Sequence, residues 1–409
     1  MTRSKYSKFA ECVHRHAPPT GLLVCSLVLP GAAGAFEVGP GIQVHGFLTQ
    51  GYFNTTDNRV YGDSQDGSFD FREVGINASY RASPSVTLAG QLLSRLAGDL
   101  DDGSPTIDYA LVDWNLVETS DYAFGTMFGR IKNTLGFYND TRDVAFTRPS
   151  IVLPQQVYFD NVRNLLLSAD GIKAYGRFYN DWGSVSIDAA AGIANVDENV
   201  EISFMGMDFG GTLDADDLAF VARAEYESPG GAWRAAISGA KAKLAFSRAP
   251  TDPVGNGQID FLYWIASLQY NAERWSLTAE YMEEPAEFTN FGPLLDGQDS
   301  TPQGYYLQGS YLIRNDLEWT VRYTEGFFDK DDRDGSRNAA ATGGLVPAHN
   351  FFRKDWTVGL RWDVTPNFML RAEYQWVDGT WSLSRRENPN PAATVKDWEM
   401  FSLLGSYRF

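Results

Sequence analysis

From residue 42 to the end of the chain, apolar or aromatic residues recur at every second position, in segments of about ten residues. Val74, Ile76, Ala78 and Tyr80 share one face, with Glu73, Asn77 and Ser79 between them. The same alternation runs through Val86-Leu88-Gly90-Leu92, Ala110-Val112-Trp114-Leu116, Val185-Ile187-Ala189-Ala191 and Phe220-Ala222-Ala224-Tyr226. It continues in Trp233-Ala235-Ile237, Leu262-Trp264-Ala266-Leu268-Tyr270 and Trp275-Leu277-Ala279-Tyr281. It is clearest in Leu317-Trp319-Val321-Tyr323, Trp356-Val358-Leu360-Trp362 and Phe368-Leu370-Ala372-Tyr374-Trp376. Weaker segments near Ile42, Phe124, Ile172 and Tyr305, together with 401–409, bring the expectation to about 16 strands, an even number. A period of two places successive side chains on opposite faces, so each segment predicts a strand with one apolar side.

The connections alternate in length. Tight ones are expected at 82–85, 118–121, 180–183, 228–231, 271–274, 314–316 and 363–367, and long ones at 133–170, 195–217, 284–302, 328–352 and 378–396. Short turns on one rim and long loops on the other are the pattern of an all-β, transmembrane antiparallel barrel, with periplasmic turns and extracellular loops.

The N-terminus belongs to a different regime. Arg3, Lys5, Lys8 and Arg15 precede an apolar stretch at 21–29 and the small residues Ala33-Gly34-Ala35, so residues 1–35 read as an export signal and 36–409 as the barrel domain. Cys12 and Cys25 are the chain's two cysteines and both lie in that leader; the exported part must be stable without disulfides. Val24 stands where lipid attachment at Cys25 would want a small residue. The formal net charge of −18 becomes more negative once the leader's four basic residues are removed against Glu11 alone, which argues against nucleic-acid binding. Nothing after the leader approaches the apolar run of roughly 18 residues that a spanning helix needs. A soluble periplasmic all-β binding protein accounts for the leader and the alternation, but not for the unequal connections.

Two further features favour the membrane. Tyr226, Tyr270, Tyr281, Trp319, Tyr323, Trp356, Trp362, Trp376 and Trp398 sit near strand ends, where amphipathic rings form interfacial girdles. The chain stops on an aromatic, with Phe401, Leu403, Gly405, Tyr407 and Phe409 alternating against Ser402, Leu404, Ser406 and Arg408. A closed barrel pairs its last strand with its first, so an end at this point is physically sensible. Tyr407-x-Phe409 behind a glycine resembles the assembly signal of Gram-negative outer-membrane proteins, and the pattern as a whole resembles their 16-stranded porins. The resemblance implies passive diffusion of small hydrophilic solutes, outer-membrane lipid and lipopolysaccharide as surroundings, the barrel assembly machinery as a partner, and a homotrimer. A channel specific for an anion such as phosphate or an organic acid is the alternative. With no long segment between the leader and Ile42, a plugged receptor or a wall-tethered porin is not expected.

In that family the third long loop folds inward. Residues 133–170 carry Asp140, Arg142, Asp143, Arg148, Asp160 and Arg163, the expected polar groups of a constriction. Among the wall positions opposite the apolar ones are Arg95, Asp113, Arg130, Lys132, Arg177, Arg322, Arg361 and Arg371, with Lys173, Arg223, Arg234 and Arg408 also basic. Glu73, Asp188, Glu225, Glu280, Glu318 and Glu373 complete the acidic side. Basic residues outnumber acidic ones there, so a mild anion preference is expected. The acidic run Asp329, Asp331, Asp332 and Asp334 lacks the glycine and distal glutamate of an EF-hand and reads as a solvated loop. Beyond the leader the only histidines are His45 and His349, and no nucleophile motif occurs, so neither a hydrolase nor any cofactor or metal site is expected.

Overall fold

The computed structural model describes residues 36–409 other than 294, 298 and 299; the export signal expected at 1–35 lies outside the described residues. Sixteen strands form the wall. They are β1 (Ile42–Thr55), β2 (Phe71–Ser83), β3 (Val86–Ala97), β4 (Asp102–Glu118), β5 (Tyr122–Lys132), β6 (Ser168–Asn180), β7 (Gly183–Ala194) and β8 (Ala219–Glu227). There follow β9 (Trp233–Ser247), β10 (Gly257–Asn271), β11 (Trp275–Glu283), β12 (Gln303–Arg314), β13 (Leu317–Phe327), β14 (Phe352–Thr365), β15 (Phe368–Gly379) and β16 (Asp397–Arg408). Three four-residue strands were not expected. Phe36–Gly39 pairs with the start of β1, Thr212–Ala215 pairs with β9, and Ala286–Thr289 pairs with β10.

Each strand is antiparallel to its sequence neighbour, and β16 closes on β1 from Met400–Thr55 to Arg408–Phe47. Closure removes both sheet edges, so each wall strand has a ladder partner on both sides, interrupted only locally by bulges such as the one that sets Asp108 out of register. Gly46 and the terminal Phe409 exchange backbone hydrogen bonds of 3.0 and 3.2 Å. The Phe409 ring lies over Gly46 so closely that a Cβ there would stand 2.5 Å from its Cζ.

All seven expected tight connections occur, and the longest loop, 133–167, follows β5. Outward positions such as Leu48, Ile76, Leu92, Ile187, Leu268 and Trp356 are exposed apolar side chains. A belt this continuous fits a surface wetted by lipid rather than by water.

Two register expectations are corrected. Trp398 points inward and is buried, its Nε1 donating to Gly379 O at 3.2 Å; it is no part of the girdle. Arg130 points outward. It pairs with Ala110 on one side and Asp170 on the other, in line with the exposed Phe128 and Ile172. Its guanidinium meets Asp170 in two bonds of 2.8 Å on the outer wall. In both places the apolar residue and the lipid side part company: Trp398 and Ile131 are apolar and face the interior, while Arg130 follows the outward parity of Phe124 and Phe128.

The interior is not uniformly polar. Along β8 to β12 the inward residues include Val221, Ala240, Leu244, Ile259, Tyr263 and Ile265, all buried, and the loop between β5 and β6 covers them.

Candidate functional site: the loop across the lumen

Residues 133–167 cross the barrel interior. One half packs on the apolar wall of β8 to β12 through Leu135, Phe137, Leu153, Val157, Tyr158 and Val162. Polar bonds fix the same half. Gly136 N donates to Ser238 Oγ at 2.8 Å, and Tyr263 Oη donates to Val157 O. Glu280, buried on β11, accepts from Phe137 N at 2.9 Å, Tyr158 Oη and Tyr306 Oη at 2.7 Å, and Ser267 Oγ at 2.6 Å. Four donors on one carboxylate satisfy a charge whose burial would otherwise be costly.

The other half reaches the wall of β13 to β16 and β1 to β2. Ala145, Phe146, Ile151 and Val152 join Phe53, Phe71, Met369, Val377, Trp398 and Met400 in a second apolar cluster. Ile151 N donates to Glu373 Oε1 at 2.7 Å, Gln156 Nε2 to Asp355 Oδ2 at 2.6 Å, and Arg322 Nη1 to Ser150 Oγ at 2.7 Å. Arg361 and Arg408 stack over the Phe146 ring.

The loop's charged residues are brought together, but as pairs. Arg142 Nη2 contacts Asp160 Oδ1 at 2.8 Å, and Asp160 Oδ2 is 2.7 Å from Arg95 Nη2 and also accepts from Tyr61 Oη. Asp143 pairs with Arg163 and with Lys132, which is 2.5 Å from Asp108. Arg148 makes a bidentate contact to Glu73 on β2, at 2.8 and 3.1 Å. Asp140 stands apart from these, 3.8 Å from Arg223, which also donates to Gly136 O at 3.3 Å. Arg142, Asp143, Arg148 and Arg163 are between 2% and 5% exposed, so this belt is packed rather than bathed.

Of the expected wall residues, Arg95, Lys132, Arg322 and Arg371 lie at the level of the loop. Arg361, opposite Arg371 in the ladder, also meets the loop by donating to Phe146 O at 3.4 Å, while Arg177 faces the space toward the short turns, paired to Asp188 at 3.0 Å. Asp113 accepts from Tyr175 Oη at 2.9 Å in that same space. Arg130 is on the outside, as described. At the belt most of the basic charge is offset, because the loop's own Asp143 and Asp160, with Asp101 and Asp108, pair with Arg95, Arg142, Arg163 and Lys132. Among the described residues, two buried arginines have no carboxylate within ion-pair distance: Arg322, whose Nε has no hydrogen-bond partner, and Arg371, whose Nη1 has none. Tyr61, Tyr158, Tyr306, Asp108 and Asp355 were not anticipated. The one available sign was the run of apolar residues on both faces of β9 and β10, which marks a wall covered on both sides.

Glycine geometry shows how tightly the loop is held against β12 and β13. A Cβ on Gly304 would stand 1.8 Å from Gln156 O, and one on Gly326 would stand 2.6 Å from Gln156 Cγ.

His349 contacts Thr394 O and Oγ1 at 3.1 Å, and neither histidine hydrogen-bonds a serine or a carboxylate among the described residues. The acidic run of the seventh loop (328–351) organises its own backbone. Asp332 accepts from Arg337 N, Asn338 N and Asn338 Nδ2 at the start of the helix Ser336–Ala341.

No protein-family model matches the chain, and no curated protein matches it. Among solved structures, the chain is similar to the outer membrane channel DcaP of Acinetobacter baumannii, with a TM-score of 0.56 and 12% identity over 92% of this chain and 100% of that one. It is similar to the trimer form of OmpT, an outer membrane protein of Vibrio cholerae, with a TM-score of 0.54 and 14% identity over 90% and 99%. It is also similar to Salmonella typhi OmpF in complex with daunomycin, with a TM-score of 0.52 and 15% identity over 90% and 97%. At these identities the likeness is one of fold: the chain has the closed 16-stranded barrel of outer-membrane porins and channels.

Proposed function

We propose that the protein is an outer-membrane channel for passive diffusion of small solutes, with the loop 133–167 as its constriction. The long loops then face the medium and the short turns the periplasm. The observation that carries the reading is that loop: it bridges opposite walls of a barrel wide enough to leave an aqueous lumen. Reconstitution in planar bilayers tests it. Discrete conductance steps are expected, and a well-folded barrel that gives none would sink the proposal.

A preference for anions belongs to the same reading, now resting on Arg322 and Arg371 rather than on a count of charges. Both are buried, cationic and without a carboxylate partner, so an anion passing the loop gains what the wall does not supply. A salt gradient is expected to give an anion-selective reversal potential; a clearly cation-selective one would overturn this part alone.

The outward Arg130–Asp170 pair supports a homotrimer: it lies two residues from the long-loop ends of β5 and β6, where a lipid-facing Arg costs about 0–1 kcal/mol, and contact with another subunit would remove that exposure and give the pair a polar neighbour. Asp170→Lys should dissociate the oligomer in light scattering; an unchanged mass would argue against this face.

A further inference from the structure

Above the constriction, on the long-loop side, the loops enclose a cavity of about 510 Å³. That is within the range of small-molecule sites, which run from roughly 300 to 1,000 Å³. Phe159 and Val162 of the third loop line it, with Phe204, Met205, Phe288 and Trp381 from the others. Phe159 and Trp381 meet edge to face at 5.2 Å, forming a rigid aromatic corner. This corner offers a flat apolar body a surface to pack on, while Asn161, Asn199, Asn350 and several Ser and Thr residues of the lining can meet its polar edges.

Three charged residues line the cavity: Glu284, Arg385 and Arg386. Arg386 is spoken for, 2.5 Å from Glu198. Among the described residues Glu284 has no side-chain partner, and burial lifts its carboxyl from the usual range to about 8, so at neutral pH it presents a proton rather than a negative charge. Arg385 is partly buried and its side chain makes no hydrogen bond or ion pair among the described residues. One uncompensated guanidinium therefore sits in an aromatic cavity.

The cavity also leads somewhere. It shares Leu100, Asn161 and Leu383 with a smaller space of about 40 Å³ that reaches Arg322, Gln375 and Asp355. That space shares Tyr61, Val152, Leu153 and Asp160 with a gap of about 10 Å³ at the charged belt. The path narrows from the aromatic cavity, past the unpaired Arg322, to the paired charges.

We propose that the 510 Å³ cavity captures organic monoanions with an aromatic body, the carboxylate on Arg385 and the ring against Phe159, Phe204 and Trp381. Capture does not depend on the channel reading; delivery of the anion to Arg322 does rest on it.

The test uses the exported chain in lipid nanodiscs, because detergent would itself fill an apolar cavity. Calorimetric titration with 2-naphthoate should saturate. Arg385→Gln should weaken binding about tenfold or more, the effect of losing a charge-assisted contact. The neutral 2-naphthylmethanol should bind correspondingly more weakly, and acetate, lacking the ring, should not saturate. Trp381→Ala should weaken naphthoate independently of charge, and heat-dependent gel mobility confirms that each variant is folded. Equal binding of naphthoate by Arg385→Gln, or equal binding of the alcohol, would overturn the proposal, as would the absence of saturation. Conductance measured on the same preparations keeps the two readings apart. Steps without binding overturn the site and leave the channel; binding without steps overturns the channel and leaves the site.

Discussion

Removing the carboxylate of Glu73 should undock one half of the constriction loop. Glu73 is fully buried on β2 and holds Arg148 through two bonds, with Arg95 Nε a further 3.6 Å away. In Glu73→Ala the docked loop keeps a buried Arg148 without its counter-charge, whereas an undocked loop lets water solvate it. Losing one partner of a buried pair costs about 3–5 kcal/mol, and that cost falls on the docked state. At about 1.4 kcal/mol per tenfold, the undocked population rises by a factor on the order of a hundred or more.

Two amides report the effect separately. Ile151 N–H is bonded to Glu373 in the half that Arg148 anchors, and Phe137 N–H is bonded to Glu280 in the other half. Hydrogen exchange on the reconstituted protein should show protection falling steeply at Ile151 and little at Phe137. Single-channel recordings should show larger or noisier steps. The double variant Glu73→Leu with Arg148→Met should restore protection, because apolar replacement of both partners leaves no charge stranded. Unchanged protection at Ile151 in Glu73→Ala, in a barrel shown to be folded, would refute the claim that this pair holds the loop.

Other outcomes follow from the same geometry. Gly46→Val should lower the yield of heat-modifiable barrel, since its side chain would overlap the Phe409 ring at the closing seam; Gly405→Ala, whose nearest neighbour would be Leu370 Cδ2 at 3.6 Å, should assemble normally. Arg322→Gln and Arg371→Gln should each move the reversal potential toward cations, and an unmoved potential would separate these residues from selectivity. For Glu284 the folded carboxyl titrates near 8 against a reference of 4.5. The folded state therefore holds the proton more tightly, and stability is lost as pH rises through that window. Proteolysis of the sixth loop (284–302) should be faster at pH 9 than at pH 6, and Glu284→Gln should abolish the difference.

The wall was legible because its constraint is one-dimensional. Lipid outside and a closed ladder within force a period of two, and the seven tight turns fell where polar and glycine-rich breaks interrupt it. The inward course of the loop, and a role there for its six charged residues, rested on the family resemblance alone. Their pairing was not legible, because Arg148 with Glu73 and Asp160 with Arg95 are separated by 75 and 65 residues. Period-two reading also fails wherever the interior packs like a soluble core. Ile131 and Trp398 are apolar yet inward, whereas Arg130 is charged yet shares the outward face of Phe128.

That apolar interior decides which half of the loop can move. Freeing the half on β8 to β12 would expose Leu135, Phe137, Leu153, Val157, Tyr158 and Val162 together with the wall beneath them. At about 1.5–3 kcal/mol for each large side chain, this comes to roughly ten kcal/mol or more, comparable with the stability of a whole domain. The half on β13 to β16 and β1 to β2 contributes fewer large apolar contacts, chiefly Phe146, Ile151 and Val152, and is otherwise held by polar and ionic contacts that water can replace. Opening should therefore pivot on the apolar half and widen the path past Tyr61, Arg322 and Asp160, where the cavities already narrow toward the belt. Cysteines placed at Val157 and Tyr263, whose hydroxyl already bonds Val157 O, are too far apart for a direct disulfide but can be joined by a short bis-methanethiosulfonate reagent, and that link should leave conductance intact. The same link between cysteines at Ile151 and Glu373, which are hydrogen-bonded at 2.7 Å across the other side, should reduce it until reductant is added. The reverse result would place the moving half on the wrong wall.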